Sequence, residues 1–358
     1  MMVALSPNPP SQVRRGVETF IIYLQRIFSD LVLVTLGETR QLSPTLAKIE
    51  RLLPRSLAIP IQSIGMGKAV QQMSKKSEVS LIFSNGMYGW YDPLGRISAT
   101  KIHIYHGSSA AFAEACSSVL GKRAFLYNRY LYSHFEAMGA QEKNALVSVS
   151  DFAREMLLRY HGIKTEVIEN CVDTELFRPT DREACKKRIG LPPDRFVCGF
   201  VGPPSTTKGF HVLEKLADSN PNFIFLVVSP HRTHLPVRDN MRVVWDIPFD
   251  MMPTIYSALD LLLVPSLYEA CSFVPLEAMS CDVPVVVSST GYFWKMNGWY
   301  SFGKAVGLTH DTEEYQDGIQ QVLDGRDDLK PREYAERYLS YRMFRHRYRK
   351  LVTELLGT

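Results

Sequence analysis

The sequence predicts an α/β protein made of two Rossmann-like parallel-sheet domains. Its 358 residues are enough for two domains of ordinary size, each with a core of its own. Short apolar, β-branched runs alternate with helical stretches in two successive series, the pattern that yields parallel strands joined by right-handed crossovers. Pro179 and the polar segment after it separate the two series.

In the first series Met2 to Ser6 is short and β-like, and Val17 to Phe28 has the spacing of an amphipathic helix. Leu31 to Leu36, Val79 to Ser84 and Ile102 to Tyr105 read as further strands. A last strand at Leu146 to Val149 leads into a helix over Asp151 to Tyr160, with Ser150 as its N-cap. The second series runs through Val197 to Val201, Phe223 to Val228, Met241 to Val244, Leu261 to Val264 and Val283 to Val287. Pro331 to Leu355 is helical in pattern and dense in Arg and Tyr, its basic run from Arg342 to Lys350 reading as a solvated face. The expected limits are 1–172 and 173–335 for the two domains and 336–358 for a terminal helix.

A formal net charge of +4 is small for this length and makes no case for nucleic acid as a partner. Six cysteines without C-x-x-C spacing, at 116, 171, 185, 198, 271 and 281, read as buried thiols. No apolar run approaches the ~20 residues that span a bilayer, so the expected location is cytoplasmic. Lys122, Arg123 and Arg129 interleave with Phe125, Tyr127, Tyr130 and Tyr132. That stretch fits either a core-facing helix or a surface helix making peripheral membrane contact.

The most informative segment runs from Ser266 to Ser288, where Glu269 and Glu277 lie eight positions apart. An apolar strand precedes them, a small-residue helix follows, and a second β-branched strand closes the segment, so the acids bracket a strand-to-helix loop. Open α/β sheets bind ligands at such loops. A helix starting near Phe273 or Val274 aims its first amides and its dipole at an anion, and a phosphate fits there. Pro275 would fall in the first turn, where its missing N–H costs nothing, with Ser272 as the cap. Glu277, about one turn in, would accept hydrogen bonds from one diol beside the phosphate and Glu269 from another, with a ribose and a hexose as the natural candidates. The spacing alone also fits a charged loop; the flanking pattern favours a nucleotide-sugar site.

The stretch from Tyr268 to Ser288 resembles the signature of retaining glycosyltransferases of family 4, which have the GT-B architecture of two facing Rossmann-like domains. Phe200-Val201-Gly202 followed by Lys208-Gly209-Phe210 is similar to that family's strand, glycine and lysine segment. Leu146 to Ser150 and Val167 to Phe177 resemble its inter-domain crossing. The resemblance implies an acceptor-binding N-terminal domain, a nucleotide-sugar-binding C-terminal domain and a last helix that returns to the N-terminal domain. It implies retention of anomeric configuration, with the leaving phosphate helping to take the acceptor proton on the same face. UDP or GDP sugars are the donors it suggests, and a sugar, a lipid-linked group or a small molecule the acceptor.

Around that frame Lys208, in the loop after a strand and framed by Gly202 and Gly209, would place its charge on the diphosphate leaving group. Pro203 stands where many family members carry an arginine. His106 follows a strand and matches the histidine that related enzymes place beside the donor sugar; a neutral imidazole there would bind a hydroxyl or shield an oxocarbenium ion. The loop Ser6 to Gly16 resembles the family's glycine-rich N-terminal loop, with Arg14 and Arg15 replacing the usual glycines. Gly16 would allow close approach of the donor, and Arg14 and Arg15 would pair with an anionic acceptor. Asn85 and Tyr88 would line the acceptor side, and Val243 to Pro248 would border the base. Without an Asp-x-Asp triplet, and with His231 and His234 lacking acidic or cysteine partners, neither a metal site nor a cofactor is expected. Two alternatives stay open: a GT-B nucleotide-sugar hydrolase or epimerase, and a non-catalytic nucleotide-sugar binder.

Overall fold

The computed structural model describes residues 1–9, 16–90, 96–233, 235–236, 238–308 and 311–357, the side chains of 55 and 56 excepted. Two compact units account for the chain: Met1–Asn170 with Phe344–Thr358, and Cys171–Met343. The first division thus falls just before the expected limit at 172 and upstream of Pro179. The second falls after Met343 rather than at 335.

The first unit holds a six-stranded sheet of β1 (Met2–Ser6), β2 (Leu31–Thr35), β3 (Leu81–Asn85), β4 (Thr100–Tyr105), β5 (Ala145–Ser148) and β6 (Glu166–Val167), ordered β2-β1-β3-β4-β5-β6. Every pairing is parallel. Strands covered on both faces are mostly apolar, and β3 is buried at every position, its Ser84 and Asn85 carrying the polar atoms at its end. Helix Arg55–Ser74 covers one face, its Met66, Ala69 and Val70 packing with Val3, Leu5, Val34 and Ile82. On helix Gly16–Ile27, Phe20 meets the rings of Phe344 and Tyr348 edge-on at 5.7 and 5.8 Å. Those rings belong to helix Tyr341–Leu356, so the C-terminal residues complete the first unit, as the resemblance implied, and Arg347 pairs with Glu169 there. Arg342, Arg345, Arg349 and Lys350 on the same helix are exposed.

The second unit holds a seven-stranded sheet of β7 (Val197–Val201), β8 (Ile224–Ser229), β9 (Met241–Trp245), β10 (Leu261–Val264), β11 (Val285–Ser288), β12 (Gly298–Tyr300) and β13 (Gly303–Val306). The order is β12-β13-β11-β10-β7-β8-β9, parallel apart from the β12/β13 edge pair. Helices Phe210–Ser219 and Thr312–Asp324 bury Leu213, Leu216, Tyr315, Ile319 and Val322 against Phe225, Val227, Leu263 and Val286.

In each sheet the chain leaves the first strand in one direction and later returns to its other side. The reversal lies between β1 and β3 in the first unit and between β7 and β10 in the second. Loops beyond the carboxyl ends of strands flanking such a reversal diverge and leave a crevice, the usual ligand site of an open α/β sheet. Gly16 and Asn85 border those loops in one unit, and Lys208 and Glu269 lie within them in the other.

Candidate functional site

At the β7/β10 reversal two loops are locked together. The amide of Leu267 donates to the Thr207 carbonyl at 2.9 Å, fixing the loop after β10 on the loop after β7. Gly209 makes that approach possible: its φ of +72° lies in the left-handed region, and a Cβ there would overlap the Pro265 carbonyl oxygen. Gly209→Ala is expected to cost at least about 2 kcal/mol, the left-handed penalty plus the forced separation of backbone from backbone. A lowered denaturation midpoint and weakened nucleotide binding would register it.

That lock brings Lys208 Nζ to 2.6 Å from Glu269 Oε1, and Ser266 Oγ donates to the same oxygen at 2.8 Å. Lys208 keeps a third of its side chain in solvent while Glu269 keeps 15 %, so the pair stands at the rim of the crevice. Thr290 Oγ1 accepts from the Glu269 amide and donates to the Glu269 carbonyl, both at 3.2 Å, which fixes the backbone under the acid. Gly202, at the end of β7 with φ +145°, has open space where a Cβ would sit.

Helix Phe273–Ser280 begins where expected, with Pro275 in its first turn. Ser272 occupies the N-cap position, yet its side chain makes no capping bond. The first turn points the amides of Phe273 and Val274 out of the helix end. Glu269, Ser272 and Pro275 line one small pocket together with Ser288, Thr290, Tyr292 and Phe293. The pocket opens at the carboxyl ends of β10 and β11.

Glu277 lies deeper than a ligand-facing surface acid would. It is 6 % exposed, and Tyr256 Oη donates to its Oε2 at 2.7 Å. Burial pushes the Glu277 carboxyl up to about 8, against the smaller opposing effect of the Tyr256 hydrogen bond. Tyr256, on helix Met252–Ser257, was not among the expected site residues, nor were Ser266 and Thr290. After β9, Asp246 sits at φ +51° with its amide on the Ser229 carbonyl at 3.1 Å, giving the stretch Val243 to Pro248 a fixed bend.

In the first unit, Asn85 Nδ2 donates to the Leu5 carbonyl at 2.8 Å, tying β3 to β1 across the reversal. Its Oδ1 lies 2.8 Å from His106 Nε2, and the His106 ring sits edge-on to Phe20 at 4.8 Å. Burial lowers the His106 imidazole to about 4, so the ring is neutral at pH 7 and donates Nε2–H to Asn85. Asn85 is 1 % exposed and holds other groups in place rather than lining an open surface. Tyr88 packs against the core of β1 and β3, and burial pushes its phenol up to about 12. Both were expected to line the acceptor side, and both face inward because their polar atoms or rings complete the unit's own packing. Gly16 begins the helix Gly16–Ile27, and a Cβ added there would meet nothing within 4 Å. Arg14 and Arg15, like His234, lie outside the described residues.

The stretch from Lys122 to Met138 is helical, with a π-helical middle at Tyr127–Tyr132. Lys122, Arg123, Leu126 and Tyr130 are exposed, whereas Phe125, Tyr127 and Tyr132 are half-buried. All six cysteines are buried, and no disulfide joins them. Among the described residues no helix is long and apolar enough to cross a membrane.

The fold is shared along its whole length with sucrose-phosphate synthase from Thermosynechococcus elongatus: TM-score 0.83, 17 % identity, 99 % of each chain covered. This is the GT-B fold. A second GT-B likeness is to Anabaena Alr3699/HepE, solved in complex with UDP-glucose, at TM-score 0.74 and 15 % identity over 99 % of both chains. Residues 181–338 match the family model of glycosyl transferases group 1, which takes in the β7 loop, the Glu269 loop and helix Phe273–Ser280 of this GT-B chain. A D-inositol 3-phosphate glycosyltransferase of Mycobacterium avium (strain 104) is 29 % identical over 162 residues. That match takes in 41 % of this chain and 38 % of the relative, so the chain spans well under half the length of the curated protein it matches.

Proposed function

We propose that this protein is a retaining glycosyltransferase that moves a sugar from a nucleoside diphosphate donor to an acceptor hydroxyl without a metal ion. The observation that carries the reading is the Lys208–Glu269 pair, held at the β7/β10 reversal beside the N-terminal end of helix Phe273–Ser280. A diphosphate is a doubly stabilised guest there, meeting backbone amides and a helix dipole on one side and an ammonium on the other. The match to glycosyl transferases group 1 over 181–338 and the UDP-glucose seen with Alr3699/HepE support the same donor class.

In this reading Phe273 and Val274 present amides to the diphosphate, with Gly202 and Ser272 bordering it, and Glu277 holds the ribose. Glu269 takes hydroxyls of the hexose. Lys208 neutralises charge as the bond from the anomeric carbon to the phosphate oxygen breaks, and that oxygen receives the acceptor's proton as the new glycosidic bond forms on the same face. His106 contributes a neutral imidazole to the transferring sugar. Gly16, Arg14 and Arg15 belong to the phosphate and acceptor contacts of the first unit. We also assign the exposed Lys122, Arg123, Leu126 and Tyr130 face to peripheral contact with a membrane carrying the acceptor.

Screening UDP, GDP and ADP sugars for turnover with a chelator present tests the reading. Transfer dependent on an added acceptor supports it. Release of free nucleotide without any acceptor identifies a hydrolase or epimerase instead, and binding without turnover identifies a silent binder. Glu277→Ala is expected to weaken nucleoside diphosphate binding about 10- to 100-fold, the loss of a carboxyl partner for a diol, with a smaller change in kcat. Calorimetric titration of the variant checks this.

A further inference from the structure

Glu277 needs help to do the work assigned to it. In a residue only 6 % exposed a carboxylate is poorly hydrated, and an acid kept neutral by burial is a poorer acceptor for two hydroxyls than a carboxylate is. The hydrogen-bond donor on it is Tyr256 Oη, 2.7 Å from Oε2, and Tyr256 is itself fully buried with a ring that packs on Phe177 at 5.9 Å. The phenol therefore has one defined direction, and it occupies one of the two carboxyl oxygens.

We propose that Tyr256 is a positioning residue for donor recognition: it fixes the rotamer of Glu277 and favours its ionised form, so that ribose recognition is linked to release of a proton. This rests on the assignment of Glu277 to the ribose made above. Among the described residues, Tyr256 and Cys281 are the titratable groups coupled to the acid, and Arg332 acts on Cys281. Tyr256 comes from helix Met252–Ser257, and the Cys281 thiol follows one turn on, itself raised to about 12 chiefly by burial and next by Glu277. Arg332, on helix Pro331–Tyr338, has its guanidinium on the carbonyl oxygens of Phe177, Thr174 and Ser280.

The linkage has a definite sign. Burial raises the Glu277 carboxyl to about 8, which favours its protonated form at pH 7. Two ribose hydroxyls donating to the acid favour the carboxylate, so binding expels that proton and affinity rises with pH up to about 8. Removing the phenol O–H takes away the one neighbour that lowers the acid, moving this rise to higher pH.

The test uses whichever of UDP, GDP and ADP the full-length protein binds most tightly, together with its 2′-deoxy counterpart. Calorimetry in buffers of different ionisation enthalpy counts the protons released. Tyr256→Phe keeps the buried ring and is expected to weaken nucleotide binding about 5- to 20-fold at pH 7, to shift the pH midpoint upward and to shrink the preference for ribose over 2′-deoxyribose. Wild-type affinity, midpoint and preference in Tyr256→Phe would overturn the proposal while leaving the donor site intact. If the unaltered protein binds the 2′-deoxy compound equally well, the ribose assignment itself fails. Thermal denaturation of the variant identifies a folding defect, in which case the comparison is made at the acid, with Glu277→Gln: a permanently neutral partner must abolish proton release, and release that persists overturns the linkage.

Discussion

Glu269→Ala lowers kcat by about two to three orders of magnitude while nucleoside diphosphate binding is kept or tightened. The two halves of this expectation come from one contact. Glu269 Oε1 holds Lys208 Nζ at 2.6 Å, so the ammonium that should meet the diphosphate is engaged by an acid. Removing the acid frees the ammonium for phosphate, yet it also removes the group that orients the hexose, and a misplaced sugar loses far more in rate than in affinity. Steady-state kinetics with calorimetry on the same variant reads both quantities. A fall in affinity matching the fall in rate would place Glu269 on the nucleotide instead.

Lys208→Ala loses on both counts. It weakens nucleoside diphosphate binding at least about 10-fold and lowers kcat about 100- to 1000-fold, because charge on the leaving group grows toward the transition state. The variant is also worse than a simple deletion. Glu269, with 15 % of its side chain exposed, would be left without its cation and would repel the incoming phosphates. The double variant Lys208→Ala/Glu269→Ala should therefore bind nucleotide more tightly than Lys208→Ala alone, a non-additivity that reports their contact directly. Isothermal titration of the three variants decides it, and additive losses would mean the two side chains act apart.

Continuous apolar strands made much of the fold legible. Val197 to Val201 and Leu261 to Val264 coincide with β7 and β10, and Met2 to Ser6 with β1. Between Leu36 and Ser74 the sequence suggests no element, and helix Arg55–Ser74 there runs through Pro60, Gly65 and Gly67, with Gly65 packed against Thr39. The two-residue β6, the edge strand β12 and its glycine-led neighbour β13 carry too few side chains to give a period. At the site, the loops and the helix start could be read, but not the partners. Lys208 and Glu269 are 61 residues apart, and only the β7/β10 adjacency joins them. Tyr256 sits in the apolar run Met252 to Leu259 and looks like any core aromatic until its hydroxyl is seen on Glu277. Asn85 erred in the other direction: a polar residue at a strand end suggests a ligand, and the Leu5 carbonyl and His106 take it instead.

A crystal structure with the preferred nucleoside diphosphate bound tests the central claim most directly. It should show the β-phosphate within hydrogen-bonding distance of the Phe273 and Val274 amides, Lys208 Nζ turned from Glu269 onto phosphate, and the ribose hydroxyls on Glu277. A nucleotide bound away from this helix end, with the Lys208–Glu269 contact still closed, would contradict it.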